Sequence, residues 1–171
     1  EDFNQNYYSN QVESTNYQTK SYLSFHQLLD NQSKNLILKD FEKPICEFLI
    51  GSIDESGYLR REIDDIIDDL AFTQNIIAKK KDVLSILEKI QDLDPAGVGA
   101  RSLKECLLIQ LKRKNSLKKS VINSIKILEN EFEIFSKKKF SKLSEKLNLS
   151  QEDLKDAIEE ISRLNPKPGG S

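Results

Sequence analysis

Few residues in this chain have the types and spacing that chemistry needs. Its two cysteines, Cys46 and Cys106, stand far apart in helix-like apolar patterns, where a free thiol behaves as a small hydrophobe and no metal-ligand spacing arises. The single histidine, His26, has no nucleophile and orienting acid arranged with it, so it reads as a packing or surface residue. Asp64, Asp65, Asp68 and Asp69 could share protons as paired carboxylates. No converging base accompanies them, and a solvated or partner-facing helix face is the simpler expectation. Asp54-Glu55-Ser56-Gly57 lacks the alternating acidic ligands and closing glutamate of a calcium loop. No glycine-rich phosphate loop follows a strand. Neither a catalytic residue, a metal nor a cofactor is expected, and an enzyme is unsupported.

The most constrained stretch is Asp94-Pro95-Ala96-Gly97-Val98-Gly99-Ala100-Arg101-Ser102, which leads into Leu103-Lys104-Glu105-Cys106-Leu107-Leu108-Ile109-Gln110-Leu111. Pro95 pushes Asp94 out of the helical region, while Gly97 and Gly99 permit backbone conformations that a side chain opposes. Ser102 and Glu105 have the form of a capping box, in which the hydroxyl meets the Glu105 amide and the carboxylate returns to the Ser102 amide. The helix that follows is apolar around most of its circumference, as expected of a central helix.

The elements that position this stretch are expected to be helices. Hydrophobic residues make up 37% of the chain, Gly and Pro are few, and no alternating run of strand length stands out. Residues 1–20 are polar and read as a disordered linker. A short helix over about 21–31, capped by Ser21, places Tyr22, Leu23, Phe25, Leu28 and Leu29 on its apolar face. A second runs to about Ser52 and starts near Asp40–Lys43, because Pro44 suits only a first turn. Asp54 to Gly57 turn, with positive φ expected at Gly57 and with Tyr58 and Leu59 anchoring the loop. Helices follow over about 62–72, 80–92 and 102–114, then one long helix over 117–136. The last two helices, joined by Asn148-Leu149-Ser150, have a helix-turn-helix layout.

The final helix carries Gln151, Glu152, Asp153, Asp156, Glu159 and Glu160 on the side expected to face away from the core, too acidic to lie against phosphates as a recognition helix. Asn165-Pro166-Lys167-Pro168-Gly169 is expected to lead out as an extended linker. The resulting division is an N-terminal helical bundle over 21–115, a C-terminal helix-turn-helix-like three-helix unit over 116–165, and an exit linker over 166–171. Residues 1–100 carry 18 acidic and 10 basic side chains, against 10 and 16 in residues 101–171. That asymmetry suits encounters with a large partner bearing both signs. No apolar run approaches a bilayer span and the N-terminus lacks a signal-peptide layout, so a cytoplasmic protein with no membrane contact is expected. The chain starts at Glu1 without a Met, as a fragment of a longer protein would. From the residues alone a helical scaffold ranks first, with stand-alone nucleic-acid binding through the basic run from Lys112 to Lys142 and docking on a large partner also open.

The pattern Asp-Pro-x-Gly-Val-x-Ala-Arg-x-Leu-x-Glu-Cys-Leu-Leu-x-Gln-Leu from Asp94 to Leu111 resembles the core-binding region of sigma-54, the nitrogen-type alternative sigma factor of bacterial RNA polymerase. Ile53-Asp54-Glu55-Ser56-Gly57-Tyr58-Leu59 and Leu164-Asn165-Pro166-Lys167-Pro168-Gly169 resemble two further segments of that domain, in the same order. The resemblance covers about residue 21 to the end. It implies docking on core RNA polymerase, through the beta flap and the beta-prime subunit, with promoter DNA and an activator ATPase engaged only through other parts of the full-length factor. It marks Gly57, Tyr58, Leu59, Asp94, Pro95, Gly97, Val98, Ala100, Arg101, Leu103, Glu105 and Cys106 as candidate site residues, most of them maintaining the central turn. Arg101 is the one expected to bridge elements or touch a partner.

Overall fold

The computed structural model describes residues 24–115 and 117–170, and among them every regular element is a helix. They are α1 (24–33), α2 (Glu42–Ser52), α3 (Ile63–Gln74), α4 (Lys80–Gln91), α5 (Leu103–Lys112), α6 (Lys119–Asn130), α7 (Phe132–Ser136), α8 (Phe140–Leu147) and α9 (Gln151–Ser162). The linker expected over 1–20 and the Ser21 cap lie outside the described residues. Pro44 occupies the first turn of α2, where its missing N–H costs no helical bond. Asn75 and Asn148 end α3 and α8 in the left-handed conformation, which Asn tolerates better than most residues with a side chain.

Two apolar clusters organise these helices. The first gathers Leu29, Ile45, Leu49, Ile50, Ile66, Leu70, Val83, Ile86 and Ile90 from α1 to α4. The second gathers Val121, Ile127, Leu128, Leu143, Leu154, Ala157 and Ile161 from α6, α8 and α9, and takes Leu107 and Leu111 from α5. α5 thus packs Leu107 and Leu111 with the C-terminal helices and Cys106 and Ile109 with Tyr58 and Ala100, so it joins both sides of the boundary expected after residue 115. Period alone marked its leucines as buried without saying against which neighbour.

Several other expectations give way. The long helix over 117–136 breaks at Glu131, which leaves helical geometry at φ −134° and ψ 34°, and separates α6 from α7. Leu28 and Leu103 are exposed rather than buried. The segment after Leu164 does not lead away from the fold but packs back onto it: the Gly169 amide donates to the Ser56 carbonyl at 3.0 Å, and Pro168 is buried.

Glu160 faces inward, against expectation, because it lies one helical turn after Ala157 and one before Leu164. Its carboxylate accepts from Lys114 Nζ at 3.2 Å, Lys118 Nζ at 2.5 Å and Ser120 Oγ at 3.1 Å. Hydrogen bonding from Lys118 leads in holding its pKa down at about 2, against an ordinary 4.5. A carboxyl depressed on folding stabilises the fold fully above its unfolded pKa and loses that contribution as pH falls through the folded value. Glu160→Gln should lower stability at pH 7 by about 1–3 kcal/mol, the lysines being partly in water. Urea melts should also show a shallower loss of stability in the variant than in the parent between pH 4.5 and 2.

Candidate functional site

The 54–59 loop, the 94–102 turn, α5 and the 165–170 segment converge at the junction of the two apolar clusters. The Asp54 carboxylate accepts from the Ser56 and Tyr58 amides, each at 2.9 Å, and folds the loop over itself. Gly57 then adopts φ +92°, and a side chain there would lie 2.8 Å from the Gly169 nitrogen. The loop pairs with the central turn as a parallel bridge between Tyr58 and Ala100. The Gly99 amide donates to the Gly57 carbonyl at 2.8 Å, and the Leu59 amide to the Ala100 carbonyl at 2.9 Å. Val98 packs into the first cluster, which anchors the turn from below.

Gly97 has φ +97°, and a Cβ on it would meet Cys106 Sγ at 2.7 Å and Gln110 Nε2 at 2.9 Å. The turn thus lies directly on α5, one turn after its Ser102 cap. That cap differs from expectation in one half. The Ser102 hydroxyl accepts from the Glu105 amide at 3.2 Å, but the Glu105 carboxylate returns to the Arg101 amide at 3.0 Å and also accepts from Gln91 Nε2 at 2.8 Å. Gln91 donates in turn to the Gly99 carbonyl at 3.0 Å, so α4 and α5 hold the turn from both sides.

Beneath the turn lies a buried polar seam. Gln110 donates through Nε2 to the Asn165 carbonyl at 2.6 Å and accepts at Oε1 from the Asn165 amide at 2.8 Å, clamping one main-chain residue by both its groups. The Tyr58 hydroxyl donates to the Pro166 carbonyl at 2.6 Å. Burial raises the pKa of Tyr58 and of the Cys106 thiol, so neither is an activated nucleophile. A second glutamine, Gln32 on α1, clamps Asp94 in the same way, at 2.7 and 2.8 Å.

Of the candidate residues, Asp94, Arg101 and Leu103 are exposed, Pro95 and Glu105 partly so, and the others are buried. Arg101 does not bridge elements: its nearest ion pair is with Glu105, at 3.8 Å within one helical turn. The bridging arginine is Arg113. It pairs with Asp94 at 3.0 Å and donates to the Gln91 and Leu93 carbonyls at 2.8 and 2.7 Å, holding the C-terminal end of α4 from the end of α5. Sequence spacing hinted at Gln110, which follows Cys106 by four residues on one face. Nothing comparable pointed to Gln32, Gln91 or Arg113. No cluster that could hold a metal ion occurs among the described residues, and none of their helices is long and apolar enough to cross a membrane.

A turn locked by glycines between two helical cores, with its polar groups spent on main-chain clamps, defines an all-helical domain built around one junction. The chain belongs to the sigma-54 factor core-binding-domain family, whose model matches residues 14–171. It is similar to the RNA polymerase sigma-54 factors of Bacillus subtilis, 33% identical over 82% of this chain, and Shewanella violacea, 34% over 80%. Against that of Acidithiobacillus ferridurans it is 37% identical over 75%. The chain spans 26% to 30% of the length of these relatives.

Gly97→Ala should destabilise the protein by about 2–4 kcal/mol through positive φ and the clash with α5. Gly51→Ala, in α2 with nothing within 4 Å of the added methyl, should stabilise it by about 0.5–1 kcal/mol. Thermal melts of the two variants should shift in opposite directions. Tyr58→Phe should cost about 1–2 kcal/mol by stranding the Pro166 carbonyl, read in the same assay.

Proposed function

We propose that this chain is the core-polymerase-docking part of a sigma-54-type transcription initiation factor, engaging the beta flap and the beta-prime subunit. The match to the core-binding family over nearly the whole chain carries the reading. The geometry supports it in a second way. The motif residues are mostly consumed in building the junction, so contact with a partner falls to exposed side chains around it. Arg101 and Leu103 form the accessible edge of the central turn, Leu103 being 45% exposed. Ile37, Phe41, Phe72 and Ile77 are further large apolar side chains left in solvent, of the kind that serve as interface anchors. Docking uses two helical units that meet at α5. Promoter sequence is read, and an activator ATPase engaged, through other parts of the full-length factor, and the role here is one of binding rather than catalysis.

Charge at the rim tunes encounter. On α3, Asp64 pairs with Lys80 and Asp69 with Arg61, which leaves Asp65 and Asp68 free to steer a basic partner surface. The basic side chains at the end of α5 are largely committed within the chain, with Lys112 on Glu129, Arg113 on Asp94 and Lys114 on Glu160. Surface plasmon resonance on immobilised bacterial core RNA polymerase should show saturable binding of the 171-residue chain. Arg101→Glu with Leu103→Ser should weaken it about tenfold or more, mainly through faster dissociation, whereas Asp65→Lys with Asp68→Lys should mainly slow association. Absence of saturable binding by a chain that is helical by circular dichroism would refute the reading.

A further inference from the structure

The junction accounts for one side of the C-terminal unit and leaves an open groove of about 520 Å³ between the end of α6, α7 and the face of α8. Lys104, Lys137, Lys139, Lys142 and Lys146 line it. Three carboxylates share the groove, but Glu129 is paired with Lys112 and Glu131 with Lys146, so only Glu133 is uncommitted. Among the described residues Lys137, Lys139 and Lys142 have no ion-pair partner, and all three are exposed. In a chain of net charge −2, a local excess of unneutralised lysines is the surface to which a polyanion would be drawn.

Two neighbours narrow the kind of polyanion. Phe132 lines the groove, and Phe140, between Lys139 and Lys142 in sequence, is 37% exposed at the start of α8. Lysines interleaved with accessible aromatic faces suit phosphates with bases to stack, which an acidic peptide does not offer. In addition, α8 begins at Phe140 with no side-chain cap, leaving its first-turn amides for water or an anion. Lysines bind any phosphate and an aromatic ring stacks on any base, so contact through this groove is independent of sequence.

We propose that the lysine-lined groove of α6, α7 and α8 binds the phosphate backbone of a nucleic-acid strand, as a second contact surface separate from the central turn. The test is fluorescence anisotropy of the 171-residue chain with a labelled 20-nucleotide single strand, its duplex and scrambled versions of both. The parent should bind all of them without sequence preference. Replacing Lys137, Lys139 and Lys142 together by Glu should weaken binding at least about tenfold at low salt, and should flatten the dependence of log K on log salt by about 2–3 units. Phe140→Ala should weaken the single strand and spare the duplex. Lys79→Glu with Lys81→Glu, equally exposed on the far unit, should change affinity by less than about twofold. Melting curves verify that each variant is folded. The proposal is overturned if the parent does not bind, if the triple variant binds as the parent does, if the control variant loses as much, or if polyglutamate competes as well as the oligonucleotides do. None of these outcomes bears on binding to core polymerase.

Discussion

The fold depends on how closely the 94–102 turn approaches α5. A methyl group at Gly97 would sit 2.7 Å from the Cys106 sulfur, so no side chain fits between turn and helix. That contact sets the height of the turn, and the height sets the rest. At it, Val98 reaches the first core while Gly99 and Ala100 present their main chain to the 57–59 loop. Gln110 is then in place to clamp Asn165. A protein interior at crystal-like packing density transmits such a constraint instead of absorbing it.

The polar groups at the junction mostly bond to main chain rather than to one another. Gln32, Gln91, Gln110, Tyr58 and Arg113 each reach a carbonyl on another segment. Such bonds contribute modestly in net terms, yet leaving the partner unsatisfied in a buried setting costs more, and this makes the arrangement specific. The result is two helical units joined through one specific junction.

The C-terminal unit is held by a different device. Glu160 draws Lys114, Lys118 and Ser120 around one buried carboxylate, tying the segment between α5 and α6 to α9. The same commitment removes basic charge from the α5 end of the unit. Among the described residues Lys137, Lys138, Lys139 and Lys142 stay outside any ion pair around α7 and α8, as do Lys126, Lys155 and Lys167 elsewhere, so unpaired basic charge is densest at α7 and α8.

Much of this was legible in the residues themselves. Glycine and proline punctuation located the two turns, positive φ at Gly57 follows from its place in an Asp-led turn, and apolar period located the helices and most of the core. The Ser102 cap was readable as a local hydrogen bond between residues three apart. Tertiary structure alone decided which core α5 serves, since a helix apolar on nearly all sides carries no record of its neighbours. It also broke the long helix at Glu131 and turned Glu160 inward. It folded 165–170 back onto the 54–58 loop, where a Pro-rich sequence reads as a departing chain. Each of these depends on contacts between residues distant in sequence, whose energies no local pattern encodes.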